Sequence, residues 1–158
     1  MKEFLKQFGI GYDQQVTQIG SEYYVLSPAI MRVKDAIRQT PVFAGQYLGA
    51  AKDRIFQPST ELLQWMVKRT ERRVVLNEKG AWLFVCGRDP FKQGVSKSPT
   101  GLNEGTLVLA LNEVGECLGY GQYTGKGGMK PFVKNIYDIG DFLRRESSKK
   151  RLLGRPKR

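Results

Sequence analysis

The sequence has no histidine, only two cysteines and few acids, with 15 Asp and Glu against 26 Lys and Arg in 158 residues. Without histidine the usual proton carrier near neutral pH is missing, and with it the Ser-His and Cys-His nucleophile pairs and the common zinc sets. Carboxylate or lysine chemistry stays formally open. Cys86 and Cys117 lie far apart in apolar company, which reads as two buried thiols in a reducing cytoplasm and not as a disulfide. No apolar run approaches the roughly 18 residues needed to cross a bilayer. Met1 to Gly9 sets Lys2, Glu3 and Lys6 among its hydrophobes, unlike a signal peptide. The expected location is cytoplasmic, or nucleolar in a eukaryote. An apolar share of 41% with 26% charged residues describes a folded chain of one ordinary domain or two small ones.

What the chain does have is local positive charge. Arg144 to Arg158 holds eight Lys or Arg against Glu146 alone, so this tail carries seven of the formal +11. Clustered cations of this kind are the footprint of a polyanionic partner, most often nucleic acid. A membrane surface would call for an amphipathic basic helix with exposed apolar residues, and after Leu143 only Leu152 and Leu153 are available. RNA is the preferred partner and no membrane is expected. Just upstream, Val133, Ile136, Ile139, Phe142 and Leu143 recur at intervals of three and four. That spacing predicts a helical turn with Arg144 and Arg145 at its C-terminal end, where cations are favoured.

Taken in order, Phe4, Leu5 and Phe8 predict a short helix ending near Gly9. Glu22 to Leu26 reads as a strand, and Ser27-Pro28 as the cap and first residue of a helix carrying Ile30, Val33 and Ile37. Val42 to Ala51, with Gly45 and Gly49, reads as a bent strand. Pro58-Ser59-Thr60 opens a helix whose inner face is Leu62, Leu63 and Met66. From Val74 onward short β-like runs follow: Val74 to Leu76, Ala81 to Cys86, Thr106 to Leu111 and Glu116 to Tyr123. The string Leu-Asn-Glu-x-Gly, at Leu76 to Gly80 and at Leu111 to Gly115, reads both times as hairpin chemistry. Gly87 to Glu104 reads as a long polar loop.

The second half resembles a PUA domain, the RNA-binding module named for pseudouridine synthases and archaeosine transglycosylases. The matching strings are Gly80-Ala81-x-x-Phe84-x-x-Gly87, Gly105-Thr106-Leu107-Val108, Leu118-Gly119-Tyr120-Gly121 and Asp138-Ile139-Gly140-Asp141-Phe142-Leu143-Arg144. With Tyr23-Tyr24-Val25-x-Ser27 and Gly45-x-x-x-Gly49 upstream, nearly the whole chain resembles the Nip-seven family of large-subunit ribosome-biogenesis factors, as a short archaeal member. The resemblance implies an α+β protein of two domains: an N-terminal α/β domain over 1–72 and a PUA-type β pseudo-barrel with short helices over 73–148. A basic tail over 149–158 would follow. It also implies binding of ribosomal RNA precursor, with a liking for U-rich single strands, and no catalysis or cofactor. Other ribosome-assembly factors, exosome subunits among them, would dock on the N-terminal domain of a monomer.

The residues expected to contact RNA are Arg144 and Arg145, then Lys149, Lys150 and Arg151 along the tail, with Lys130 and Lys134 flanking the same groove. Tyr120 and Tyr123 are weighed between base platforms and core. Trp82, Phe84 and Phe142 are assigned to packing, and Arg88-Asp89 to a local ion pair, with an RNA contact by Arg88 as the weaker alternative. Gly121 to Gly127 resembles a phosphate loop but has three residues between its first two glycines instead of four, and Gly127 stands where Ser or Thr would hold magnesium. Gly119-Tyr120-Gly121 lacks the third glycine of a dinucleotide fingerprint. Both are rejected as nucleotide sites. Two other readings remain: the RNA-targeting subunit of a methyltransferase complex, and a ribosome-associated protein that binds mainly other proteins.

Overall fold

The computed structural model describes residues 1–52, 55–125, 130–141 and 144. The chain divides into two compact units, Met1–Thr70 and Glu71–Arg158. The expected division after residue 72 lies two residues further on, at the start of the strand that opens the second unit.

The first unit holds a four-stranded, wholly antiparallel sheet in sequential order: β1 (Thr17–Ile19), β2 (Glu22–Val25), β3 (Gln46–Lys52) and β4 (Ile55–Pro58). Helix α1 (Lys2–Lys6) and helix α3 (Thr60–Val67) supply its core, where Phe4 meets Phe56 at 5.0 Å and Leu62, Leu63 and Met66 are buried. Burying one such side chain is worth about 1.5–3 kcal/mol. The Ser59 hydroxyl accepts from the Leu62 N–H at 3.1 Å, the cap that opens α3. Helix α2 (Pro28–Ala36) has the expected Ser27 cap, yet none of its residues is buried. Val33 is 61% exposed, and Ile30 and Ile37 are exposed with it.

The second unit is a five-stranded mixed sheet in the order β6-β5-β7-β8-β9, with β5 (Arg73–Leu76) parallel to β7 (Leu107–Leu111) and the other pairs antiparallel. Strands β8 (Cys117–Tyr123) and β9 (Val133–Asp138) complete one side, and β6 (Val95–Lys97) the other. Val74, Leu76, Phe84, Val108, Val133 and Phe132 form its core.

Four expectations change here. Val133 to Asp138 is a strand and not a helical turn: Val133 and Asp138 face inward while Lys134 and Ile136 are exposed, and the whole run pairs with β8. Spacings of three and four in a β-branched run are compatible with either period, and the open edge of β8 decides it. Ala81 to Cys86 belongs to helix α4 (Glu78–Val85), opened by the Asn77 side chain accepting from the Gly80 N–H at 2.9 Å. The first Leu-Asn-Glu-x-Gly string is therefore a helix start, while the second is the turn between β7 and β8, with Gly115 at φ 87°. The long polar loop contains a 3-10 turn at Lys92–Gly94 and then β6. Gly80 explains that placement, since a Cβ there would meet the Gly94 carbonyl oxygen at 2.1 Å.

Candidate nucleic-acid interface

Helix α4 ends inside a set of polar side chains that close over its last carbonyls. The C-terminal carbonyls of a helix lack partners within it and draw donors and positive charge. Here Asn135 on β9 donates through Nδ2 to the Phe84 carbonyl at 2.8 Å, and Arg144 donates through Nη1 to the Val85 carbonyl. Both donors are held by Asp138, which is 3% exposed. Its Oδ1 and Oδ2 accept from Arg144 Nη1 and Nη2 at 2.7 and 2.8 Å, a two-pronged ion pair. Asn135 Nδ2 also reaches Asp138 Oδ2 at 3.2 Å, and the Gly140 N–H donates to Oδ1 at 2.9 Å. The hydrogen bonds to Asp138 raise the Arg144 pKa, against a smaller opposing effect of burial. Gly87 follows α4 at φ 80°, the left-handed stop common after helices, and lies directly against the Arg144 guanidinium.

This clasp explains Asp138-x-Gly140 followed by Arg144 as structure. Arg144, expected to grip RNA, turns its fork onto Asp138, although its side chain keeps 38% exposure. Asp89, expected to pair with Arg88, instead accepts the Asn135 N–H at 2.8 Å, and among the described residues Arg88 makes no ion pair. The Phe132 N–H donates to the Pro90 carbonyl at 2.8 Å, so the segment after α4 lines the outer edge of β9.

The other expected site residues divide. Lys130 and Lys134 are exposed, one just before β9 and one near its beginning. Arg145, Lys149, Lys150 and Arg151 lie outside the described residues, as does Phe142. Sequence reasoning missed Lys92, whose Nζ sits 4.4 Å from the centre of the Phe132 ring and so joins the Lys130 to Lys134 region. Nothing in the sequence marks a lysine some forty positions upstream as a neighbour. Tyr120 is core, 5.9 Å from Tyr137 between ring centres, with burial raising its phenol pKa. Tyr123 is half-buried against Phe132.

Trp82, assigned to packing, is 64% exposed. Because α4 turns Gly80 and Phe84 inward, position 82 falls on the outer side of the helix. Both cysteines are free, Cys117 buried and Cys86 half-buried, and burial pushes the Cys117 thiol up to about 12. Among the described residues no three His, Cys, Asp or Glu side chains converge as a metal site, and no helix is long and apolar enough to cross a membrane.

The second unit, from Glu71 onward, coincides with the stretch that a PUA family model covers, and PUA domains generally bind RNA. Residues 72–147 match the family described as the UPF0113 PUA domain. The chain is 30% identical over 115 residues to the UPF0113 protein of Archaeoglobus fulgidus, covering 68% of this chain and 65% of that one, just under two thirds of the relative's length. Among solved structures, a conserved PUA domain protein from Thermoplasma acidophilum superposes with a TM-score of 0.58 at 18% identity, over 92% of this chain and 90% of that one. A hypothetical protein from Pyrococcus horikoshii OT3 gives 0.51 at 17% identity, over 83% and 77%. These two likenesses are of fold. The PUA resemblance read from the glycine strings and from Asp138 to Arg144 thus holds for the second unit.

Proposed function

We propose that this chain is a non-catalytic RNA-binding factor of large-subunit ribosome assembly, whose PUA unit holds U-rich single-stranded segments of precursor ribosomal RNA. The first unit docks other assembly factors. What supports the reading is one coincidence: the PUA unit is also the unit whose C-terminal stretch carries seven of the chain's formal +11. Lys92, Lys130 and Lys134 add cations at the near end of β9. Phosphates meet this charge, and it supplies affinity without selecting a sequence.

The test is a fluorescence-anisotropy titration of labelled U-rich and A-rich single strands at two salt concentrations. The proteins are the full chain and a full-length variant with Lys149, Lys150 and Arg151 replaced by Gln. Each neutralised phosphate contributes about −0.7 to the slope of log affinity against log salt on single strands, so the variant's slope should be shallower by about 2. Tighter U-rich binding with that change supports the proposal. Equal and feeble binding of both strands by both proteins overturns it.

A further inference from the structure

We propose that the groove between α4 and the Ile139–Gly140 turn is a nucleobase site, in which Trp82 stacks on one unpaired base of a single-stranded RNA and Arg88 meets its phosphate. The inference rests on the RNA-binding reading and adds to it a particular base-reading position. Trp82 stands outside the core cluster, being 64% exposed on a helix whose buried residues are Gly80 and Phe84. With Val114 at 80% and Ile139 at 39% exposure lining the cavities beside it, the ring belongs to an exposed apolar patch, and such a patch marks a contact.

The helix that carries the ring is held at both ends. Asn77 caps one end of α4, and Asn135 and Arg144 close the other, so the outer face of the helix is fixed before any ligand arrives. Such preorganisation is what a stacking platform needs. Beside the ring lies a cavity of about 610 Å³, with Trp82 as its aromatic wall and Val85 and Ile139 as aliphatic surface. Arg88 and Arg144 supply its charge, and among the described residues no carboxylate lines it. Arg144 is neutralised by Asp138, whereas Arg88 is exposed and makes no ion pair among the described residues.

Trp82 also borders a smaller cavity of about 350 Å³, which is lined by Glu78 and Glu113. Those carboxylates repel a phosphate backbone, so the charge pattern directs a strand toward the Arg88 side. A flat apolar face with an unneutralised guanidinium beside it suits a base and its phosphate, since stacking tolerates every base and the cation holds the backbone.

The chain has two tryptophans, one in each unit, so Trp65→Phe leaves Trp82 as the sole indole reporter in the full-length protein. Titration with a U-rich single strand should quench that emission along the same isotherm that anisotropy reports. Trp82→Ala should bind about tenfold more weakly with an unchanged salt slope, because a base platform and not a phosphate contact is lost. Trp82→Phe should recover part of that loss. Arg88→Gln should instead reduce the slope by about 0.7. Circular dichroism should be unchanged by the Trp82 and Arg88 substitutions, as both side chains are exposed. Full RNA affinity in Trp82→Ala, with the Trp82 emission unmoved by RNA, overturns the inference while the RNA-binding reading stands; it would leave the indole to a protein partner. Absence of RNA binding by the unaltered chain overturns both.

Discussion

Helix α2 in the first unit and helix α4 in the second start on the same kind of cap, Ser27 accepting from Ile30 and Asn77 from Gly80, but only one of them is held at its far end. Helix α2 runs out into extended backbone at Ile37 with none of its own residues buried. Helix α4 is gripped by Asn135 and Arg144, which Asp138 holds in turn, and is pressed at Gly80 against Gly94. Local caps therefore place a helix start, while long-range partners decide whether the helix becomes a fixed platform.

Alkali should separate the two units most. Burial pushes the thiol of Cys117 up to about 12 from its ordinary 9.0 and raises the phenol of Tyr120 further still, both in the second unit. In the first unit burial, with the contact to Glu22, pushes Tyr24 up to about 12, and burial raises Tyr12 and Tyr47 by less. These groups are neutral when protonated, and in the unfolded chain they lose protons first. Their contribution is complete below the unfolded pKa values and is lost as pH rises toward the folded ones. Urea midpoints taken at about pH 8 and about pH 11 should fall in both units and further in the second, which has two large shifts against one.

Next in size is Asp138→Ala. Breaking a wholly buried pair costs about 3–5 kcal/mol. Arg144 keeps 38% exposure, so water screens part of the loss and about 2–3 kcal/mol is expected. Chemical denaturation followed by circular dichroism measures it, and a loss under about 1 kcal/mol would mean that the clasp does not hold α4. Gly80→Ala should cost about 2 kcal/mol, since a Cβ 2.1 Å from the Gly94 oxygen forces backbone to move. Asn77→Ala should cost about 2 kcal/mol, because Nδ2 also donates to the Gln93 carbonyl at 2.9 Å, and Ser27→Ala about 1 kcal/mol, the loss of a cap alone. Val33→Thr on α2 should change stability by less than about 0.5 kcal/mol, and a larger loss would mean that the exposed face of α2 is packed in solution.

The same contrast shows what the sequence makes legible. Features carried by neighbours in the chain were readable: the caps at Ser27 and Ser59, the inner face Leu62, Leu63 and Met66, and strands β2, β7 and β8. Features that depend on distant partners were not. The run Val133 to Asp138 satisfies both periods until β8 offers its edge, and Ala81 to Val85 looks β-like until Gly94 meets Gly80. Charge and the family resemblance mark Arg144 as an RNA contact, while the carboxylate that engages it is identified only once the chain turns at Gly140. The size of Trp82 argues for packing, and only the orientation of α4 shows it facing water.

The most direct test of the claim that the second unit holds single-stranded RNA is photo-crosslinking of a 4-thiouridine-containing U-rich strand to the full chain, followed by mass-spectrometric mapping of the joined peptides. Crosslinks should fall within Lys79 to Arg88, around Lys130 to Lys134, and in the basic stretch after Arg144. Crosslinks confined to Met1–Thr70 would contradict the claim.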